Sequence, residues 1–148
     1  MRRGILDPVA KTLCWESEWA GPCEFPRIDP RREGAAAQFA YVAAHSTPQA
    51  SCLGPQDQLA KVDMLTGEGQ RLTIGEGRFV SEPIFVPGPG EAEDGGHVMA
   101  MVYDPSRQRA GCVIVDAQRF ELESAAWAWF DRVTPPTLHG SWVNAPKA

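Results

Sequence analysis

Ser81-Glu-Pro-Ile-Phe-Val-Pro87, then Gly88-Pro-Gly-Glu-Ala-Glu-Asp-Gly-Gly96, then His97-Val-Met-Ala-Met-Val-Tyr103 is the stretch on which the fold turns. Two apolar runs flank a loop dense in glycine, proline and acids, the pattern of adjacent strands joined by a turn. Glu82 stands at the mouth of the first run, directly ahead of Pro83. A carboxylate is poor strand-forming chemistry, so this one is either solvated or held for a purpose.

Outward from there, the same rhythm continues in both directions. Downstream, Gly111 to Asp116 and Ala126 to Phe130 read as strands, with Pro105-Ser-Arg-Gln-Arg-Ala110 turning ahead of the first. Upstream, Gln58 to Met64 alternates, Thr66-Gly-Glu-Gly69 turns, and Gln70 to Ile74 alternates again, a hairpin signature. Gly34 to Ala44 is ambiguous: its alanines favour helix by propensity, yet Phe39 and Tyr41 alternate with smaller neighbours at the period of a strand. We read it as strand. His45 to Pro55 reads as a loop. Three prolines in Pro22-Cys-Glu-Phe-Pro-Arg-Ile-Asp-Pro-Arg31 exclude regular helix and leave an extended segment that carries Glu24. Trp15 and Trp19, four apart, suit one face of a helix or of a strand. Gly4 to Lys11 reads as the end of a strand and a turn.

Strands thus arrive every ten to fifteen residues and nothing sustains a helical period, so the chain is mostly β. Pattern alone does not separate a sandwich, a barrel and a propeller. Two echoes, Leu59-Ala-Lys-Val-Asp63 ahead of Thr66-Gly67 and Cys112-Val-Ile-Val-Asp116 before Ala-Gln-Arg, suit a repeated four-stranded blade.

Composition sets the outer limits. The 148 residues amount to about one domain. With 43% hydrophobic and 22% charged residues, the chain has the balance of an ordinary globular protein. Thirteen prolines and fourteen glycines favour short elements over long helices. A net charge of −5 without a Lys/Arg run argues against a nucleic-acid partner. No segment approaches the roughly 20 apolar residues that cross a bilayer. The basic start lacks the apolar core of a signal peptide. Cys14, Cys23, Cys52 and Cys112 show no zinc spacing and are expected as reduced thiols in a cytoplasmic chain.

The chemistry is sparse. Thr134-Pro-Pro-Thr-Leu-His-Gly-Ser-Trp142 uses its prolines to deliver His139 to a defined place. His45, in a polar loop, and His97, at a strand start, have no partner at ligand spacing. Catalytic triads, phosphate-cradling loops and facial triads are missing. From the residues alone there remain one histidine, two oddly placed glutamates and no complete site.

Glu24-Phe-Pro-Arg-Ile-Asp-Pro-Arg31, Ser81-Glu-Pro-Ile-Phe-Val-Pro87, Glu93-Asp-Gly-Gly96 with Val102-Tyr-Asp104, Val113-Ile-Val-Asp-Ala117 and His139-Gly-Ser-Trp142 together resemble the carboxy-terminal part of the carotenoid cleavage oxygenases. That family includes apocarotenoid and stilbene-cleaving dioxygenases and the retinoid isomerase of the eye. The resemblance runs in order from about Leu6 to Val143. It implies that residues 1–148 are an incomplete domain, the C-terminal sector of a seven-bladed β-propeller with a non-haem Fe(II) on its axis. Four histidines from different blades hold that iron, and glutamates behind three of them accept a hydrogen bond from the far ring nitrogen.

The last ligand of that set matches His139, with Glu82 implied as the glutamate that orients it. Glu24 matches a glutamate that supports a histidine from an earlier blade. Such outer carboxylates fix the tautomer, aim the ring and raise its basicity. The other three histidines lie upstream in the family, and neither His45 nor His97 matches their motifs. Before His139 the family often has a Pro-Phe-Gly-Phe-like approach, whereas this chain has Pro135-Pro-Thr-Leu138. An apolar polyene or stilbenoid substrate and O₂ are the implied partners of the full-length enzyme. Trp15, Trp19, Trp127, Trp129 and Trp142 suit a polyene tunnel or, more simply, blade packing.

Three functions fit. The chain is the last third or so of such an oxygenase, an inactive remnant of one, or a non-enzymatic β module that binds through its loops. In the first two cases the isolated chain should self-associate through unpaired edges and fail to hold iron alone. The resemblance also sets a geometric expectation, a charge-assisted contact of about 2.7–2.9 Å between Glu82 and His139.

Overall fold

A computed structural model describes the chain except for residues 49–53, 133, 136, 138, 144 and 146–148. Cys52, the middle of the 45–55 loop and parts of the 134–142 segment therefore lie outside the described residues. Among the described residues, eleven strands and one short 3₁₀ turn make up the regular structure: β1 (Arg2–Asp7), β2 (Thr12–Glu18), β3 (Cys23–Arg27), the turn Pro30–Arg32, β4 (Phe39–Ala44), β5 (Gln58–Asp63), β6 (Gly69–Thr73), β7 (Phe79–Val80), β8 (Ile84–Pro87), β9 (Gly96–Asp104), β10 (Arg109–Asp116) and β11 (Ala126–Trp129).

They form three antiparallel sheets in chain order. β1 and β2 make a two-stranded ribbon, and β3-β4-β5-β6 a four-stranded meander. In the third sheet the order is β11-β10-β9, with β7 and β8 both paired to β9. The stretch from Ser81 to Tyr103 behaves as read, since β8 and β9 pair with Ile84 opposite Met99 and Pro87 opposite Gly96.

The two central strands of the middle sheet, β4 and β5, are buried on both faces, which explains why 34–44 was hard to read. Tyr41 and Ala43 of β4 and Leu59 of β5 join Phe85, Val98, Val113 and Phe120 in the core shared with the third sheet. Their neighbours Val42, Ala44, Ala60 and Val62 point the other way, onto Trp19 and Met1. A strand buried on both sides loses the polar half of its alternation. Here alanine fills the close-packed positions, so helix-forming residues occupy a strand. Burial overrides the intrinsic propensity.

The echoed Asp-ending runs have a common cause. Asp63 Oδ1 accepts the N–H groups of Leu65 and Thr66, and Asp116 Oδ1 those of Gln118 and Arg119. Asp7 does the same for Val9 and Ala10. In each case a strand-terminal aspartate closes the next turn through its own side chain, the Asx device.

Besides a register shift between Arg2 and Arg3 in β1, two β-bulges interrupt the ladders. In β3, Glu24 faces Ala43 and Arg27 faces Tyr41, three residues against two. Inside that bulge Phe25 holds φ 57°, a left-handed conformation that bulky residues rarely adopt. Between β7 and β8, Val80 faces Val102 and Ile84 faces Met99, four residues against three. Pro83 sits in this break, where its missing N–H costs no ladder bond. Bulges bend a strand and re-aim its side chains. Cys14, Cys23 and Cys112 carry free thiols, and no described helix is long and apolar enough to cross a membrane.

Candidate metal-ligand site

Both bulges aim at one place. Glu82 leaves the ladder at the β7–β8 break, and its side chain is buried with 6% of its surface exposed. This settles the sequence-level alternative for Glu82 against a solvated carboxylate. From the other bulge Arg27 reaches across, its Nε donating to Glu82 Oε1 at 2.8 Å. The Gly140 N–H donates to Glu82 Oε2 at 2.9 Å. His139 Nδ1 lies 3.4 Å from Glu82 Oε1, so two residues 57 apart in sequence meet. That contact is longer than the 2.7–2.9 Å of the sequence-based expectation, because Arg27 occupies the short position on the same oxygen.

The carboxylate is held ionised. Burial opposes its charge, but the hydrogen bonds from Arg27, Gly140 and His139 outweigh burial and keep the Glu82 carboxyl below the usual range. With an anion facing Nδ1, the imidazole proton is favoured on that nitrogen, which leaves the Nε2 lone pair directed away. The His139 side chain is 72% exposed, so Nε2 is accessible. The ring is further fixed by Phe25, edge-on at 5.6 Å between centroids. The left-handed Phe25 thus has a use, since the bulge that sets Arg27 on Glu82 also sets an aromatic edge on His139. Strain of this kind concentrates at functional positions.

Sequence reasoning missed Arg27. It lies three residues after Glu24 in the Glu-Phe-Pro-Arg run, and that run was its only signal. Its guanidinium also donates from Nη2 to the Gly140 carbonyl at 3.2 Å, so Arg27 ties the His139-Gly140 segment to Glu82 from both sides.

Glu24 does not join this group. It is exposed, accepts from Gln56 Nε2 at 2.9 Å, and has no histidine within hydrogen-bonding distance among the described residues. His97 is exposed on β9, as its position at a strand start suggested. His45 corrects the sequence reading: it is only 6% exposed, immediately after β4, and not out in a polar loop. The tryptophans divide. Trp19 is buried and Trp127 stacks on Trp129 at 5.3 Å, which is packing, while Trp15 and Trp142 remain 59% and 48% exposed.

Among the described residues no group of three or more His, Cys, Asp or Glu side chains could hold a metal ion. Cys112 lines a cavity of about 170 Å³ together with Glu82 and His139. Burial pushes the Cys112 thiol up, which disfavours the thiolate that binds metals. The donor set present here is therefore one imidazole backed by one carboxylate. That fits a single ligand position of a metal site and no more.

Comparison with known proteins gives a consistent result. Residues 1–144 match the family described as Retinal pigment epithelial membrane protein. The apocarotenoid-15,15'-oxygenase of Synechocystis sp. is 34% identical over 145 residues, covering 96% of this chain and 29% of that protein. The chloroplastic carotenoid cleavage dioxygenase 7 of Oryza sativa subsp. japonica is 33% identical, covering 83% of this chain and 21% of its own length. A crystal structure of the cobalt-substituted Synechocystis oxygenase superposes with a TM-score of 0.86 at 31% identity, over 97% of this chain and 30% of that one. The chain spans less than a third of the length of these relatives. It belongs to the Retinal pigment epithelial membrane protein family, the carotenoid cleavage oxygenases, and forms an all-β sector of their propeller.

Proposed function

We propose that this chain supplies one imidazole ligand, His139, and the carboxylate that orients it, Glu82, to the iron of an oxygenase cleaving a conjugated carbon–carbon double bond. The observation that carries the reading is the buried Glu82 carboxylate, held ionised by Arg27 and Gly140 and facing Nδ1 of an exposed imidazole. An outer carboxylate that fixes the tautomer and leaves Nε2 free is what a metal-bound histidine requires. A histidine serving only to pack would be buried, and His139 is not.

Bound Fe(II) would supply the place where O₂ meets the alkene. This chain's own contribution is narrower. Glu82 keeps the proton on Nδ1 and supplies a negative charge outside the coordination shell, so that no metal position is spent on a carboxylate. Arg27 and Phe25 hold that pair in place. The remaining ligands would come from residues outside these 148, with Glu24 backing a histidine of that portion. The substrate is a polyene or stilbenoid, and residues 1–148 are the C-terminal portion of the propeller. Taken alone, the chain has too few donors in place among its described residues to retain iron, since strong metal sites depend on several ligands fixed in advance.

The test is a hybrid propeller in which this chain replaces the matching sector of the Synechocystis oxygenase. It should load iron and cleave the alkene. His139→Ala should abolish loading, and Glu82→Gln should weaken affinity or activity by about 10–100-fold. Full iron content in the folded His139→Ala hybrid would overturn the assignment.

A further inference from the structure

Three donors meet the Glu82 carboxylate, and the histidine has the longest contact. Arg27 Nε donates to Oε1 at 2.8 Å and the Gly140 N–H to Oε2 at 2.9 Å, whereas His139 Nδ1 stands 3.4 Å from Oε1. A charge-assisted N–H bond to a carboxylate usually closes to about 2.7–2.9 Å. Glu82 is buried, and a low-polarity setting strengthens whatever its oxygens accept.

Arg27 therefore changes what the imidazole faces. Beside it the carboxylate is half of an ion pair, and His139 shares one oxygen with a cation. Arg27 is 41% exposed, so its charge is partly screened, and its hydrogen bond rather than its long-range field carries the effect. It lines an adjoining hollow of about 840 Å³, while Glu82 and His139 line the smaller cavity. Two contacts hold the segment without Arg27, the Gly140 N–H on Oε2 and the Phe25 edge on the His139 ring.

We propose that Arg27 is a positioning residue that limits how strongly Glu82 draws the Nδ1 proton of His139, keeping the ligand a neutral imidazole that favours ferrous over ferric iron. The consequence for iron rests on the function proposed above; the restraint itself is read from the three distances. An outer carboxylate raises the basicity of the histidine it holds, and unrestrained it pushes the ring toward imidazolate. A more anionic ligand favours the more highly charged metal. By sharing Oε1, Arg27 leaves enough pull to set the tautomer and too little to charge the ring. A purely structural role gives the opposite result. If Arg27 only braced residues 139 and 140, its loss would free the ring from Glu82 and lower the Nδ1–H fraction; if it restrains Glu82, its loss raises that fraction.

The first measurement needs no metal. In the isotopically labelled 148-residue chain, two-bond nitrogen–proton correlations through the carbon-bound ring protons report the tautomer of each of the three histidines, and His139→Gln assigns the signal. At about pH 9, well above the ordinary histidine pKa of about 6.5, the ring is neutral. Arg27→Met should raise the ratio of Nδ1–H to Nε2–H about tenfold, the effect of about one hydrogen bond to a charged group. Arg27→Lys should return it to within about threefold of wild type. Circular dichroism confirms that each variant is folded. In the hybrid propeller, Arg27→Met should raise the Fe(III)/Fe(II) ratio at a fixed poise about tenfold, a midpoint about 59 mV lower for a one-electron couple. Glu82→Gln should move the midpoint the other way.

An unchanged or lower Nδ1–H ratio in folded Arg27→Met overturns the proposal. So does an unchanged or higher midpoint, or loss of iron on that substitution while the wild-type hybrid loads. A wild-type hybrid that holds no iron would remove the iron reading alone, and the tautomer ratio would then decide whether Arg27 restrains Glu82.

Discussion

Glu82→Gln is the perturbation that probes the site most sharply without changing its shape. The carboxylate accepts at both oxygens, from Arg27 and His139 on Oε1 and from the Gly140 N–H on Oε2. A glutamine has one accepting atom. With its carbonyl toward Arg27, the amide N–H₂ confronts the Gly140 N–H; turned round, it confronts Arg27 and His139. Either way the buried amide N–H₂ of the glutamine faces donors without an acceptor, and the charge on Glu82 is gone. An unsatisfied buried group costs about 1–3 kcal/mol, and the lost ionic part is discounted because Arg27 is 41% exposed, so the net cost is about 2 kcal/mol. For a chain of this size that corresponds to a fall in melting temperature of about 4–8 °C.

The pH dependence gives a second readout. Glu82 titrates below its ordinary value when folded, so its contribution is complete above the ordinary carboxylate pKa of about 4.3 and is lost as pH falls through the depressed one. The stability gap between wild type and Glu82→Gln should therefore close as the pH drops below about 4. Arg27→Met should move that acid limb to higher pH. Burial is the largest single influence on Glu82 and raises its pKa, and only Gly140 and His139 would then oppose it. Urea unfolding at several pH values measures all three proteins. A Glu82→Gln variant within about 0.5 kcal/mol of wild type at pH 7, with an unchanged acid limb, would refute the reasoning.

Gly96→Ala should destabilise by about 1–3 kcal/mol, measured by the same unfolding, because the added Cβ would stand 2.9 Å from the Gly88 nitrogen and against the Val86 carbonyl, backbone atoms that cannot move aside. The β1–β2 ribbon leaves Leu6 and Trp15 68% and 59% exposed, and we expect the isolated chain to self-associate through this face and its unpaired edges. Leu6→Lys with Trp15→Lys should shift it toward monomer in sedimentation velocity; a wild type already monodisperse as a monomer would remove that expectation.

How much of this was legible in the sequence varies with the distance over which each feature is determined. Strands β8 to β10 were readable because alternation and turn residues are local. The turns after Asp63 and Asp116 were readable as an echo for the same reason, since an Asx turn is made within four residues. The fate of Glu82 was not readable, because its donors stand 55 and 58 residues away. Nor were the bulges at Phe25 and Ser81–Pro83, which exist only relative to the strands opposite, although they decide where Arg27 and Glu82 point. β7 escaped notice because two residues carry no period. His45 was misplaced because its flanking sequence is polar, whereas its burial is imposed by the strand before it and by Arg71 across the sheet. Motif resemblance supplied the pairing of Glu82 with His139, and no local rule could have done so.

The central claim is that Nε2 of His139 is a metal ligand while Nδ1 faces Glu82. Anomalous diffraction from the hybrid propeller loaded with cobalt tests it most directly. The account predicts a cobalt peak about 2.0–2.1 Å from His139 Nε2, with Nδ1 on the Glu82 carboxylate and Arg27 still in place. A cobalt peak with His139 turned away from it, or with the ring reversed so that Nδ1 binds the metal and Nε2 faces Glu82, would contradict it.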